Sequence, residues 1–318
     1  MRTVIPMTTT LPFKRYKTLH DALTSRHGVK VFKVPLNAGF SCPNKDGTSG
    51  VGGCIFCSPS GSGDFAGDPL DSLSSQYENR KAMLQKKWPD AKTIAYFQAN
   101  TNTHAPVEHL RKLFETALTL DPALVGLSIA TRCDALDEEK IALLAKLRDR
   151  THLQVELGLQ SIHEKTAQVI NRGHDLACFT RAVQALRRHD IDVVVHIING
   201  LPGEDMAMMM ATLDYVNTLD IQGLKIHMLH IMHDTALGRQ YLATPFPLLD
   251  LKSYVEITGR QIERLNPEVV VHRVTGDSPR DSLIAPLWTL KKFVVMNTLD
   301  HWFIEHNTRQ GATFKAST

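Results

Sequence analysis

The sequence predicts an α/β fold in which a parallel sheet curls into part of a barrel, a partial (β/α)6 barrel of the TIM type with a small C-terminal extension. Six short, nearly continuous apolar runs recur along the chain, as is typical of strands buried on both faces. Amphipathic helical stretches separate these runs, which indicates crossover helices between parallel strands. The 318 residues, 43% of them hydrophobic, are enough for one large domain with a sizeable core.

The predicted elements alternate in order. Residues 14–27 carry Tyr16, Leu19 and Leu23 at helical spacing, and residues 69–88 also predict a helix. The predicted strands are 31–36, 93–98, 124–130, 153–159, 193–198 and 223–229. The helices that follow the later strands are 105–119, 137–149, 163–170, 176–188 and 204–218. We expect a disordered start at 1–13, a core barrel at 14–240, and a C-terminal α/β extension at 241–318 with a helix at 249–265, a strand at 269–274 and helices within 281–306.

Three of the five cysteines lie in one loop that directly follows the first predicted strand. Cys42, Cys54 and Cys57 have the spacing C-x11-C-x2-C among Gly, Ser, Asn and Asp residues. The two-residue spacer lets Cys54 and Cys57 bind one metal centre, and the intervening glycines allow turns that bring Cys42 to the same point. Three thiolates are one short of the usual four around a [4Fe–4S] cluster, so one iron is left open to a small chelating molecule.

Other interpretations of this loop remain. A zinc knuckle needs a histidine as fourth ligand, and no His lies close to Cys57 in the sequence. A disulfide framework fits a long chain with few cysteines and no secretory signal poorly, so we expect a reducing cytoplasm. His227, His230 and His233 are either a second metal site or, as we favour, polar lining of a pocket together with a core histidine.

Charge and hydropathy constrain the partners. The net charge of +3 by itself indicates no particular partner. Residues 1–35 hold seven Lys or Arg and the single acid Asp21, so this face either contacts phosphates or is a solvated helix face. No apolar run approaches the roughly 18 residues of a membrane span, so we expect no membrane partner and a cytoplasmic location.

Polar residues mark the predicted strands and their carboxyl ends, where such barrels carry their chemistry. Glu156, His196 and Lys225 interrupt apolar strands, and Thr101 and Gln160 follow strand ends. A buried Lys or Glu is costly unless it is paired. These residues therefore predict a polar pocket that faces the cysteine loop.

Six motifs, in this order and on alternating elements, resemble the radical S-adenosylmethionine (SAM) superfamily, in the subgroup that contains the catalytic subunit of Elongator and the bacterial YhcC-type proteins. The resemblance covers roughly residues 14 to 300. Its carriers are Gly39-Phe-Ser-Cys42-Pro-Asn, Cys54-Ile-Phe-Cys57, Thr131-Arg-Cys-Asp134, Glu156-Leu-Gly-Leu-Gln160-Ser, Asn171-Arg-Gly-His174 and Gly200-Leu-Pro-Gly203-Glu.

The resemblance implies a [4Fe–4S] cluster held by Cys42, Cys54 and Cys57, with SAM chelating the fourth iron. One electron, from a reductant such as flavodoxin or ferredoxin, then cleaves SAM to methionine and a 5′-deoxyadenosyl radical that takes a hydrogen atom from the substrate. Most of this chemistry belongs to the cofactors, which the protein positions and shields.

The resemblance also implies roles for single residues. Gln160 and Arg172 resemble SAM contacts of the coproporphyrinogen-dehydrogenase relatives, although Arg172 also suits a helix C-terminus. His196 stands where those relatives have a ribose-binding Asp, and Thr101 ends the stretch that replaces the superfamily's Gly-Gly-Glu. With Glu156, these are the candidate cofactor-binding residues.

The candidate catalytic residues are Lys225 and Cys133. Lys225 stands where Elongator's radical domain also has a lysine, so it is a candidate contact for substrate or a second cofactor. Cys133 lies nearer the pocket than Cys178, which is predicted to be core, but a structural role is the alternative for Cys133 too.

The resemblance and the basic N-terminal segment together favour a radical SAM enzyme that acts on RNA, in particular the wobble uridine of transfer RNA. A non-catalytic iron–sulfur scaffold or redox sensor is one alternative, against which the SAM-contact residues Gln160 and Arg172 speak. A radical SAM enzyme acting on a small molecule is the other.

Overall fold

The computed structural model describes residues 14–61, 63 and 65–316, so the predicted disordered start at 1–13 lies outside the described residues. The strands that it describes are β1 (Val31–Leu36), β2 (Lys92–Phe97), β3 (Leu124–Thr131), β4 (His152–Gln160), β5 (Asp192–Asn199), β6 (Gly223–Met228), β7 (Ile231–Met232), β8 (Val270–Arg273) and β9 (Leu283–Ala285).

The helices alternate with these strands. They are α1 (Leu19–His27), α2 (Leu73–Gln85), α3 (Val107–Leu118), α4 (Glu138–Arg148), α5 (Glu164–Val169), α6 (Leu176–Arg187), α7 (Met206–Val216), α8 (Ala236–Ala243), α9 (Leu251–Arg264) and α10 (Lys292–Glu305). Short 3₁₀ turns lie at Cys133–Ala135, Arg280–Ser282 and Leu287–Leu290.

Seven parallel strands form one sheet in the order β1-β2-β3-β4-β5-β6-β8, curled into a half-barrel. The predicted α/β half-barrel is therefore confirmed, and all six predicted core strands are present. The strand predicted at 269–274 within the C-terminal extension is β8, the seventh strand, which pairs with β6. The division of the chain at residue 240 stays a prediction.

Side-chain caps start most of the helices. Seven of the ten helices in the described part of the chain begin after a Ser, Thr or Asp whose side chain accepts the backbone N–H three residues later. These residues are Thr18, Ser72, Asp137, Asp175, Asp205, Thr235 and Asp250. Each cap ends a connecting loop at a defined residue and so limits how far that loop extends.

The main core lies between the outer face of the sheet and the helices. Every second residue of the strands points outward into it, for example Phe97, whose ring packs edge-on against Phe114 of α3 with centroids 5.1 Å apart. Helices α9 and α10 close the last part of the sheet, where Gly259 lets the Trp302 ring approach the α9 backbone. The other strand face is left to line the half-barrel interior.

The basic segment before α1 is bound to the C-terminal part of the chain. Lys14 pairs with Asp300, Arg15 donates to the carbonyls of Phe303 and Thr308 at 3.3 and 3.2 Å, and the Lys17 ammonium lies 3.3 Å from Glu268. These contacts hold the segment in place, while the Lys17 side chain stays 41% exposed, so the basic face over residues 1–35 stays a prediction. Among the described residues, no helix is long and apolar enough to cross a membrane.

Candidate active site

The half-barrel encloses a cavity of about 660 Å³ that extends from the cysteine loop to the middle of the sheet. At one end it is lined by Phe56, Cys57 and Ser58, which follow β1. At the other end the lining comes from strand residues Lys33, Tyr96, His196, Lys225, His227 and His272. The cavity volume is in the range of small-molecule and cofactor sites.

One polar residue from each of the first six strands points into the middle of the half-barrel. Together they form what we call the Glu156 cluster: Lys33 (β1), Tyr96 (β2), Ser128 (β3), Glu156 (β4), His196 (β5) and Lys225 (β6). The parallel register brings these positions together, since Tyr96 pairs with Ser128 and His196 with Lys225.

The carboxylate of Glu156 is the centre of this cluster, and its side chain is fully buried. Oε1 accepts from Lys33 at 2.5 Å and from Ser128 at 2.7 Å. Oε2 accepts from His196 at 2.8 Å, from the Tyr96 hydroxyl at 3.1 Å and from Lys225. Both oxygens are thus occupied by donors of this chain, so Glu156 orients its neighbours. The predicted direct contact between Glu156 and a cofactor gains no support from this arrangement.

The cluster shifts the ionisation of its members. Burial opposes ionisation of Glu156, but the ammoniums of Lys225 and Lys33 outweigh it and hold the pKa of this carboxyl well below its usual range. Burial also lowers the pKa of Lys225 to about 8, against the attraction of Glu156. The Tyr96 ring lies between the two ammoniums, 4.9 Å from Lys33 Nζ and 4.8 Å from Lys225 Nζ.

The surroundings of the four cavity histidines favour their neutral form. Burial and the nearby Lys225 lower the pKa of His196 to about 4, and burial does the same for His230. Burial holds the pKa values of His227 and His272 well below the usual range as well. Because the Glu156 carboxylate can only accept, Nε2 of His196 carries the ring proton.

The cysteine loop sits at the other end of the cavity. The Cys57 thiol raises the pKa of Cys54 well above its usual value through a hydrogen bond, and burial and the nearby Cys42 add to this. The Cys54 thiol thus lies close to that of Cys57, with Cys42 nearby. Asn44 Nδ2 lies 3.9 Å from Cys54 Sγ, and such N–H···S contacts tune the potential of an iron–sulfur cluster.

The segment from Ile170 to Gly173 holds the loop in this shape. The Ile55 N–H donates to Ile170 at 3.0 Å, and the Asn171 side chain donates to the Gly53 carbonyl at 2.7 Å. In return the Asn44 side chain donates to the Asn171 carbonyl at 2.6 Å. A Cβ at Gly173, which has φ of 82°, would lie 2.5 Å from Asn44 Oδ1. The Asn171-Arg-Gly-His174 motif thus includes the residues that clamp the cysteine loop.

The donor set of the loop fits an iron–sulfur cluster. Among the described residues, no group of three or more Cys, His, Asp or Glu side chains is drawn together to hold a single metal ion. An iron–sulfur cluster does not need its ligands to meet at one ion. Each thiolate would bind a different iron, so the cysteine sulfurs would lie further apart than around a single metal ion. The high pKa of Cys54 arises from its hydrogen bond with the Cys57 thiol and from burial, and an iron centre would take the place of the thiol protons.

Arg172, a predicted SAM contact, is not among the residues that line the cavity, and its predicted role stays a prediction. Its side chain is 1% exposed and donates to the carbonyls of Leu159, Ser161 and His174 at 2.9, 2.6 and 3.0 Å. Its Nη2 has no hydrogen-bond partner. The guanidinium therefore fixes the carboxyl end of β4, next to Gln160. Gln160 itself lines the cavity and has a φ of 66°.

Thr101 also supports the cysteine loop. Its N–H donates to Ser41, next to Cys42, at 3.1 Å, and its buried Oγ1 has no hydrogen-bond partner. The two residues before it, Ala99 and Asn100, have φ of 57° and 55°, in the left-handed region that glycine favours. The stretch that stands in place of the Gly-Gly-Glu expected from the resemblance thus has a backbone that suits glycine. The Thr101 hydroxyl beside the cysteine loop could therefore form a hydrogen bond with a bound molecule.

Cys133 begins a 3₁₀ turn and lies in the hydrophobic core against Cys178 of α6. The Cys178 thiol and burial raise the pKa of Cys133 far above its usual value. This placement differs from the position at the pocket that a catalytic role requires, so we propose no such role for Cys133. Lys225 and His196, by contrast, lie on the cavity wall, as do His227 and His230.

Three residues of the Glu156 cluster are not among the candidates that the sequence indicates: Lys33, Tyr96 and Ser128. Lys33 interrupts the first apolar strand as Lys225 interrupts the sixth, and this signal could have identified it. The sequence analysis instead counted it with the basic N-terminal face. Tyr96 and Ser128 are ordinary residues in a strand, and only the register of β2 with β3 shows that they meet.

The Glu156→Gln variant tests the charge balance of the cluster. It leaves two buried ammoniums without a carboxylate, and breaking a buried pair costs about 3–5 kcal/mol. We expect urea unfolding at pH 7 to show that the free energy of unfolding falls by this amount. Adding Lys225→Met should recover part of it, because one ammonium is removed. Glu305→Gln, on the exposed end of α10, is the matched control. If the losses in free energy of unfolding from Glu156→Gln and Lys225→Met simply add in the double variant, the two side chains do not form a buried ion pair.

The low pKa of Lys225 predicts a specific pH dependence. Between about 8, its folded pKa, and 10.5, its ordinary value, the unfolded chain binds a proton that the folded chain lacks. Lys225 therefore makes the free energy of unfolding rise with pH across this window. Denaturant titrations of the wild type and Lys225→Met at several pH values measure the difference. Parallel curves for the two proteins would show that Lys225 titrates normally.

Family models and relatives agree on the class of protein. The model of the radical SAM superfamily matches residues 47–216, and a radical SAM C-terminal domain matches residues 221–304. The protein YtqA of Bacillus subtilis is 49% identical over 302 residues, covering 95% of this chain and 94% of YtqA. The protein YhcC of Escherichia coli is 37% identical over 291 residues, covering 91% of this chain and 93% of YhcC.

More distant similarities concern Elongator-type proteins. A tRNA uridine(34) acetyltransferase of Methanocaldococcus jannaschii is 34% identical over 102 residues, which are 32% of this chain and 18% of that protein. The structure of Elp3 from Methanocaldococcus infernus, with an N-terminal deletion, superposes with a TM-score of 0.65 at 17% identity. The match covers 88% of this chain and 64% of the Elp3 chain, and it shows a shared fold. The chain belongs to the radical SAM superfamily, in the YhcC-like, Elongator-like group that its motifs resemble.

Proposed function

We propose that this radical SAM enzyme reductively cleaves SAM and uses the resulting radical to take a hydrogen atom from the wobble uridine of a transfer RNA. One observation carries the proposal. A single cavity connects the cysteine loop, through Phe56 and Cys57, with the polar Glu156 cluster. A radical formed at one end of this cavity would meet a substrate held at the other end of the same cavity.

The family implies a [4Fe–4S] cluster and SAM. In this chain Cys42, Cys54 and Cys57 would hold the cluster. When bound and given one electron by an external reductant such as flavodoxin or ferredoxin, the cluster and SAM supply a 5′-deoxyadenosyl radical. The chemistry of this step belongs to the cofactors, and the protein contributes position and shielding.

The chain's own residues support the cysteine loop and contact SAM and the substrate. Asn44 points an N–H at Cys54, while Arg172 and the backbone N–H of Thr101 hold the walls beside the loop. We assign SAM contacts to Gln160, which lines the cavity, and to the unpartnered Thr101 hydroxyl. His196 and Lys225, which line the same cavity, would face the substrate.

The similarity to tRNA uridine(34) acetyltransferases supports transfer RNA as substrate, together with a cavity large enough for one extruded nucleoside. The same volume suits a small molecule, which remains the second candidate. A non-catalytic scaffold is less well supported. A protein that only carries an iron–sulfur cluster would not need a cavity lined by lysine ammoniums and unpartnered histidine nitrogens beside that cluster.

The proposal is tested by the formation of 5′-deoxyadenosine under anaerobic, reducing conditions. After reconstitution with iron and sulfide, the wild type should form it slowly alone and faster with bulk transfer RNA, and the RNA should show a mass change in its wobble nucleoside. Cys57→Ala should lower the rate by at least about 100-fold, the upper end of what loss of a supporting contact costs. Cys178→Ala, a thiol outside the loop, is the control.

Two outcomes would contradict the proposal. Formation of 5′-deoxyadenosine that transfer RNA neither accelerates nor couples to a modified nucleoside would favour a small-molecule substrate. No 5′-deoxyadenosine at all from a protein with a full complement of iron would favour the scaffold.

A further inference from the structure

The Glu156 cluster contains more positive than negative charge. It holds the ammoniums of Lys33 and Lys225 but the single carboxylate of Glu156, and its histidine is neutral. The exposed fractions of the two lysine side chains are only 14% and 9%. Buried ions are stable only when they are paired, so one positive charge of the cluster lacks a counter-ion within it.

The rest of the cavity lining does not supply that counter-ion. Among the described residues that line the cavity, Lys33, Arg80, Lys225 and Arg273 carry positive charge, and Asp277 is the one carboxylate. Asp277 is already bonded to Arg273 at 2.6 Å and to Lys292 at 3.2 Å. The cavity is therefore positive along the wall formed by β1, β6 and β8.

Both ammoniums keep a donor for a further partner. Each ammonium has three N–H groups. Lys33 uses two, on Ser128 at 3.0 Å and on Glu156. Lys225 also uses two, on the Tyr96 hydroxyl at 3.2 Å and on Glu156. Because both residues line the cavity, the remaining donors are within reach of a bound molecule.

Three histidines of the same wall have nitrogens without a partner. Nε2 of His227, Nε2 of His230 and Nδ1 of His272 are buried, and none has a hydrogen-bond partner in the described structure. Buried polar atoms are almost always satisfied in native proteins, so a group of orphans along one cavity points to a ligand. A neutral imidazole can donate through either nitrogen, and the rings of His196 and His227 lie 5.3 Å apart.

We propose that Lys33, Lys225, His227 and His272 form a subsite for an oxyanion of the substrate, a carboxylate or a phosphoryl group, with Lys225 as its direct ligand. The inference rests on the proposed function, since it names a chemical feature of the substrate bound in that cavity. Both oxyanions offer what the wall lacks, a negative charge and several acceptor oxygens. The subsite would orient the substrate and leave the hydrogen transfer to the radical.

The test measures oxyanion binding to the full-length chain in the absence of SAM. Thermal unfolding is followed against sodium acetate, inorganic phosphate and, as reference, chloride at constant ionic strength. A ligand that binds only the folded state raises the Tm in a saturable way. We expect this for the wild type, for Lys225→Arg and for Lys252→Met, an exposed lysine on α9. Lys225→Met should raise the apparent Kd at least about tenfold, equivalent to about 1.4 kcal/mol.

Lys225→Met leaves Lys33 and Glu156 as a one-to-one pair, so its fold should persist. A second measurement does not depend on the variant: the anomalous signal of selenate soaked into wild-type crystals should lie beside Lys225 Nζ. A stronger effect of acetate than of phosphate assigns a carboxylate, and the reverse assigns a phosphoryl group. A Tm response equal to that of chloride, or selenate sites confined to the outer surface, would overturn the subsite. Neither result depends on SAM cleavage, so the proposed function can fail or hold separately.

Discussion

The pairing of the buried Glu156 carboxylate with two lysine ammoniums is the interaction on which the interior of this half-barrel depends. It draws one residue from each of the first six strands to one point. A shift of register by one residue in any of these strands would turn its polar member into the apolar core and leave a charge unpaired. The cluster therefore ties the register of the sheet to the chemistry of the cavity.

Within the residues that the structure describes, the cysteine loop is held by hydrogen bonds and not by buried ion pairs. It lies outside the sheet, and its shape comes from backbone hydrogen bonds to residues 170–173 and from side chains such as Asn44. Arg172 connects the cysteine loop with the sheet. Its carbonyl accepts a hydrogen bond from the Asn44 side chain, and its guanidinium donates to the Leu159 carbonyl near the end of β4. The position of the three thiols is thus fixed relative to Gln160 and to the cavity beyond it. Residues of the Asn171-Arg-Gly-His174 motif, in which the sequence marks Arg172 as a candidate SAM contact, therefore also hold the cysteine loop and the end of β4.

Much of the fold was predictable from the sequence, because apolar runs and capped helices are local signals. The cysteine spacing and the strand lysine Lys225 were also visible. Lys33 was visible too, but its charge was assigned to the N-terminal face. Other features depended on contacts between distant residues. The two-residue strand β7 is too short for any pattern, and β8 joins the main sheet through pairing with β6. Cys133 was a candidate catalytic residue in the sequence, but it is buried against Cys178. Arg172 was a candidate SAM contact, but its guanidinium donates to three backbone carbonyls.

The most direct test of the account is low-temperature EPR of the anaerobically reconstituted and reduced protein, recorded with and without SAM. The account places a cluster with one open iron at Cys42, Cys54 and Cys57, facing a cavity that admits SAM. We expect a reduced [4Fe–4S] signal that changes when SAM is added and is lost in Cys57→Ala. A protein that binds zinc in place of iron, or a cluster signal indifferent to SAM, would contradict the account.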